Sequence, residues 1–164
     1  MKNYLYVCFI AMLPLIELRG AIPVAHALHV SQANFQLFVA YLLIIIGNLL
    51  PVTLIYFFAQ KTLQWGQNKP VIGSLCSFFL EKGESAGKKL QAKTGNGLFW
   101  ALVLFVGIPL PGTGAWTGTL AASLLKMDFK LTLWAVTLGV VLAAIIIGVL
   151  CAVGFGAWFG VVAT

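Results

Sequence analysis

The chain has 164 residues, 61% of them apolar and only 9% charged, with a formal net charge of +6. A soluble domain carries roughly a quarter charged residues and under half apolar ones, so the composition excludes that class. The uncharged stretches 20–60, 94–125 and 131–164 each exceed the ~20 apolar residues that cross a bilayer, and the chain reads as a small all-α polytopic membrane protein.

Lys2 ahead of the apolar run Tyr4–Ile16, with Ala25-His26-Ala27 beyond it, has the outline of a signal peptide, but Glu17 and Arg19 interrupt the tract and argue against cleavage. As a helix, Tyr4–Ile16 rises roughly 20 Å, short of the ~30 Å hydrocarbon core. It is followed by the polar, breaker-rich ELRGAIP (Glu17 to Pro23), by the short apolar VAHALHV, and by Ser31-Gln32-Ala33-Asn34, which offers N-cap residues. Two short arms around a break predict a re-entrant hairpin. The next tract, Phe35 to Gln60, is long enough to span the membrane, with a kink expected at Pro51.

Lys61 to Gly97 holds six lysines against Glu81 and Glu84 and is the water-facing region, within which Val71–Leu80 is apolar enough to lie on the membrane surface. Then the first pattern returns. Leu98 to Ile108 rises roughly 16 Å as a helix and stops at PLPGTG (Pro109 to Gly114), where two prolines and two glycines end it. A second short arm, Ala115 to Leu125, precedes Lys126-Met127-Asp128, with Asp128 as N-cap, and Phe129 to about Phe159 is the second full span. The organisation is therefore a first repeat over 1–60, a basic segment over 61–97 and a second repeat over 98–164.

Charge sets the orientation. If Lys61–Lys93 is cytoplasmic and Leu98–Leu125 enters and leaves on one side, Lys126 and Lys130 are cytoplasmic too, as the positive-inside rule requires. The first hairpin then opens to the opposite side, which makes the two units an inverted repeat whose breaks meet near the midplane and form a transport site. The basic excess does not point to nucleic acid, because the lysines flank apolar segments and form no recognition motif.

Glu17 and Arg19 are the charges most closely flanked by apolar sequence, and each would cost roughly 2.5 to 3.5 kcal/mol facing lipid at the membrane centre. Two residues apart, they point to different sides of a helix, so a mutual ion pair requires the non-helical backbone that Gly20 and Pro23 promote. In one reading Arg19 binds an anionic headgroup through its planar fork with Glu17 as a proton-titrating partner, and in the other the pair only fixes the hairpin. In the second break, Pro109 and Pro111 remove backbone donors while Gly112 and Gly114 permit close approach. The free N–H groups of the arm after Gly114 can hold an anion, and Thr113 adds a hydroxyl. Gly114-Ala-Trp-Thr-Gly118 is also a small-xxx-small pattern, for which tight packing against the first hairpin is the competing explanation.

ELRGAIP near the N terminus, PLPGTGAWTG about ninety residues later and a length near 160 together resemble the family of small multi-drug export proteins over nearly the whole chain. That family is in turn similar to the DedA/VTT superfamily of membrane proteins. The resemblance implies two re-entrant hairpins in an inverted repeat and an association with lipid-headgroup translocation, often proton-coupled. It also implies that Glu17, Arg19 and Pro23 lie in the first hairpin site and Pro109, Pro111 and Gly112 in the second.

Lesser candidates remain. His26 and His29 share a helix face and are candidates for a proton relay with Glu17, though a satisfied or interfacial pair is the commoner outcome; without a third ligand they make no metal site. Asn48 stands mid-span, where a buried amide most often bonds a neighbouring helix and less often lines a path. Trp65, Trp100, Trp116, Trp134 and Trp158 read as interface belt residues. Cys8, Cys76 and Cys151 read as free thiols, and Gly154, Gly156 and Gly160 offer a close helix contact. The expectation is a bacterial inner-membrane transporter for an amphipathic or anionic-headgroup substrate such as a lipid, homodimeric because two spans make a thin wall, with no cofactor. The rival is a non-transporting assembly protein in which both breaks are structural. An enzyme is disfavoured, because no nucleophile with a placed base is visible.

Overall fold

The computed structural model describes residues 2–14, 16–31, 35–67, 97–110 and 112–162, and among them every regular element is a helix. These are α1 (Lys2–Met12), α2 (Glu17–Ser31), α3 (Leu37–Gln67), α4 (Gly97–Gly107), α5 (Ala115–Leu124) and α6 (Phe129–Val162). Pro111, Cys76 and almost all of the basic segment, including Val71–Leu80, lie outside the described residues.

Among the described residues, two stretches are long and apolar enough to cross a membrane, Leu37–Ala59 in α3 and Phe129–Gly154 in α6. Only 33% of each is buried, whereas the core helix of a soluble protein would be covered on most sides. Phe38, Leu54, Phe58, Ile145 and Leu150 are all more than half exposed, an arrangement that suits hydrocarbon and not water. The four short helices run 10 to 15 residues, roughly 15 to 22 Å, so none of them crosses ~30 Å by itself.

The short helices pack in a crosswise order. Each outer arm lies on the long helix of its own half, α1 on α3 and α4 on α6. Each inner arm packs on the long helix of the other half, α5 on α3 and α2 on α6. Small residues allow this closeness, as expected where dispersion and not hydrophobic exclusion drives association. A Cβ on Gly47 would stand 2.6 Å from the Cys8 carbonyl oxygen, and one on Gly139 would stand 2.6 Å from Val106 Cβ. Each outer arm therefore meets its long helix at a glycine of that helix, and Gly107 of α4 adds a further close approach to Leu142. Around them, Ala11, Ala21, Ala40, Ala115, Ala135 and Ala143 are fully buried.

The first break is not where the glycine and proline of ELRGAIP suggest. Those seven residues are the first two turns of α2, and Pro23 lies inside the helix. The chain turns earlier, at Leu13-Pro14. Pro14 has no N–H to extend α1 and disfavours helical torsions at Leu13, whose own N–H closes a tight turn on the Ile10 carbonyl (3.1 Å). Glu17 N–H then donates to the Leu13 carbonyl (2.9 Å) and Gly20 N–H to that of Ile16 (3.1 Å), which carries the backbone into α2. Glu17 adopts a left-handed φ of 51° at this corner, unusual for a residue with a side chain. Pro23 deprives only the Arg19 carbonyl of a donor, a loss that neighbouring groups make tolerable inside a membrane protein.

The second break follows the sequence more closely. α4 ends at Gly107, α5 begins at Ala115, and Gly112 and Gly114 have φ of 83° and 150°. α5 closes at its far end in a Schellman turn, with Met127 N–H on the Ala122 carbonyl (3.0 Å) and Lys126 N–H on that of Ser123 (3.1 Å). Asp128 Oδ1 then caps α6 by accepting from Lys130 N–H at 2.9 Å, as its position predicts. α3 runs helical through Pro51 and on past Lys61 to Gln67.

Candidate functional site

Helix ends leave N–H groups at the start and carbonyls at the finish without helical partners, and in a protein interior these must be met by something else. The second break has two such ends back to back, the carbonyl end of α4 and the N–H end of α5. Both are met by side chains from the first turn of α2.

Glu17 is 4% exposed, and its Oε1 accepts from Trp116 N–H at 3.1 Å, at the N terminus of α5. The helix has no cap of its own, because Gly114 occupies the cap position and carries no side chain. A carboxylate there answers both the orphan N–H groups and the positive end of the helix dipole. Gly114 is required on two counts: its backbone is left-handed, and a Cβ would collide with the Glu17 carboxyl group. Arg19 serves the opposite end. Its Nη1 donates to the Leu110 carbonyl, its Nη2 donates to Thr113 Oγ1 at 2.7 Å, and the Ile108 carbonyl stands 3.5 Å from Nη2. Thr113 in turn donates toward the Leu110 and Ile108 carbonyls, at 2.9 and 3.0 Å. A planar fork suits this work, since it reaches several acceptors at once where an ammonium would not.

The alternative in which Glu17 and Arg19 pair with each other is not what forms. Glu17 stands at a left-handed corner, the backbone beyond it is helical, and each side chain finds its hydrogen-bond partners across the molecule. The anion at the N terminus of α5 is the chain's own carboxylate. Of the remaining expected site residues, Thr113 and Gly114 are in this junction, and Pro109 is half-buried at its edge. Gly112 is an exposed turn residue with open space where a Cβ would stand. Gly20 is half-buried on α2 against its own turn, at Ile16, and Pro23 lies one turn beyond Arg19. The small-xxx-small pattern splits: Gly114 meets the first hairpin through Glu17, whereas Gly118 meets Val106 and Leu102 of its own hairpin.

His26 and His29 do not converge with Glu17. His26 Nε2 is hydrogen-bonded to the Tyr41 hydroxyl at 2.9 Å, and His29 Nδ1 is 2.7 Å from the Phe35 carbonyl oxygen, where the chain turns from α2 into α3. Trp65, Trp100 and Trp134 are exposed as belt residues would be, but Trp116 is not one of them, because its backbone is the partner of Glu17. Cys8 and Cys151 are free thiols. Asn48 makes none of the interhelical hydrogen bonds expected of a buried amide.

The level of the junction follows from helix registers. The His26–Tyr41 bond pairs α2 with the antiparallel α3; two turns before His26 stands Arg19, and two turns after Tyr41 stands Asn48. On the other side, Ser123 Oγ donates to the Tyr56 carbonyl at 3.0 Å and the Tyr56 hydroxyl donates to that of Met127. Just over two turns before Ser123 is Ala115, and the same distance before Tyr56 is again Asn48. Asn48 is the middle residue of the span Leu37–Ala59, so Arg19 and the start of α5 stand at half its height.

Comparison with known families bears on this arrangement. Residues 17–146, most of the chain and the whole of the second break, match the family described as "Putative small multi-drug export protein". The chain belongs to this family. Its members carry a transport description and not an enzymatic one, in keeping with the two apolar spans of an integral membrane protein. The matched region opens on Glu17 itself and contains every side chain of the junction. No curated protein and no solved structure matches the chain.

Proposed function

We propose that the protein moves an amphipathic substrate with an anionic headgroup across the bilayer, at the junction where the two breaks meet. The observation that carries this reading is the pairing of Glu17 and Arg19 with the opposite hairpin at mid-span. Irregular backbone at that depth persists only where protein or a watery cavity satisfies it, and ionisable groups there are functional by default. Four short helices that cannot cross alone, packed crosswise on two that can, support two re-entrant hairpins in an inverted repeat. In this mechanism the substrate oxyanion competes with the Leu110 and Thr113 oxygens for the Arg19 fork, and Glu17 is the group that takes up and releases a coupling proton. Separation of the hairpins then exchanges access between the two sides.

Contacts between the two halves also support an orientation. Tyr56 and Phe57 stack on Phe129 at 5.2 and 5.0 Å, so the end of α3 leading to Lys61 stands beside Lys126 and Lys130. That clustering supports a cytoplasmic 61–97 segment in a bacterial inner membrane, with homodimers completing the wall around the hairpins. Cysteine labelling is expected to find a Lys130 replacement on the cytoplasmic side and a Ser31 replacement outside.

The second reading is a non-transporting membrane protein in which Glu17 and Arg19 only satisfy backbone groups of the second break, and the engagement of both Arg19 amino groups favours it. Reconstitution separates the two. In phosphatidylcholine vesicles containing a trace of fluorescent phosphatidylglycerol, the wild type is expected to translocate the anionic lipid. Arg19→Lys should lower that rate about tenfold without unfolding, since charge is kept and the fork is lost, and Glu17→Gln should flatten its pH dependence. Stable variants with unchanged rates and unchanged pH dependence would leave only the structural role.

A further inference from the structure

Asn48 has no exposed surface, and neither end of its amide has a hydrogen-bond partner. An unmet polar group in an apolar interior is costly to keep, and an apolar side chain of similar shape would be neutral or stabilising in its place. Among the described residues, four buried side-chain polar atoms are left without a partner: Arg19 Nε, Trp116 Nε1, and the nitrogen and oxygen of Asn48. Arg19 and Trp116 frame the junction, and Asn48 is level with it by two separate registers, one through α2 and one through α5.

The chemistry of these orphans is lopsided. Arg19, Trp116 and Asn48 all present N–H donors, and only the Asn48 carbonyl accepts. A donor-rich set beside a guanidinium suits an oxygen-rich anion that brings one hydroxyl or water with it. We propose that Asn48 is a further binding residue of the transport site, its amide N–H groups donating to the oxyanion of a phosphate-bearing ligand and its carbonyl accepting from the accompanying hydroxyl. The inference rests on the transport reading above and deepens it, by naming phosphate chemistry and a residue on a spanning helix as its reader. Because Asn48 is enclosed, the contact forms when the arms part, so binding and opening are one event.

The test reads ligand-dependent thermal unfolding of the purified protein in neutral detergent, with dodecyl phosphate as one probe and inorganic phosphate as the other. Dodecyl phosphate is expected to raise the melting temperature of the wild type in a saturable way. In Asn48→Leu the ligand-free melting temperature should be equal or higher, while the dodecyl phosphate affinity falls about tenfold, the loss of one hydrogen bond to a charged group. Asn48→Ser, which retains a hydroxyl donor, should lose less. A shift produced equally by inorganic phosphate supports the same chemistry with a free anion as its source. A less stable Asn48→Leu would show the amide holding the fold together, and would overturn the proposal. A shift kept in Asn48→Leu but lost in Arg19→Lys would remove Asn48 and leave the junction reading standing, whereas no shift with either probe in the wild type would remove both.

Discussion

The two breaks solve one problem in opposite ways. At Leu13-Pro14 the chain turns within its own backbone, with Glu17 and Gly20 amides bonded to the carbonyls four residues earlier. At Pro109–Gly114 the segment meets the Ile108 and Leu110 carbonyls only in part, through Thr113 and its own backbone, and leaves the N terminus of α5 without a side-chain cap. The first break therefore has side chains to spare, and Glu17 and Arg19 supply what the second lacks. The two halves are thus joined through an asymmetric contact, in which the first gives charge and the second gives backbone.

The sharpest way to break that contact is at its tightest point. Gly114→Val forces a side chain onto the Glu17 carboxyl group and a β-branched residue into left-handed backbone, and is expected to cost about 3 kcal/mol or more, seen as loss of folded protein in detergent. Next in size is Glu17→Ala, which strips α5 of its cap and leaves Arg19 uncompensated; about 2 kcal/mol lower stability is expected by thermal unfolding. Paired with Gly114→Ala in a double-mutant cycle, it should relieve much of the glycine variant's penalty, because the collision partner is gone. Independent, additive effects would disconnect the two breaks.

The packing of the outer arms makes a smaller prediction. Gly47→Ala and Gly139→Ala should each lower stability by about 1 to 3 kcal/mol, since each glycine seats one outer arm on its long helix. Gly154→Ala meets nothing within 4 Å and should be neutral or stabilising by up to about 1 kcal/mol. A large difference between Gly47 and Gly139 would show that the halves are not equivalent in packing. A comparably small effect is expected for Tyr41→Phe, which removes the His26 bond two turns from Arg19 for about 1 kcal/mol and leaves the junction untouched.

Membrane class, two spanning helices, four short arms and the cap at Asp128 were legible in composition, run length and cap chemistry, because each depends on residues close together in the chain. Glu17 and Arg19 stood out for the same reason, as charges inside apolar sequence. The position of the first break did not, because Pro14 and Pro23 are the same residue type and only packing decides which one ends a helix. Trp116 read only as a belt residue and Asn48 only as a mid-span amide, for a related cause. One contributes a backbone N–H and the other an unmet amide, and neither carries meaning until α2, α3 and α5 stand side by side. Local sequence determined which elements form and where charge is stored, whereas the crosswise packing of the two halves decided which orphaned helix ends those charges meet, since such partners lie some ninety residues away along the chain.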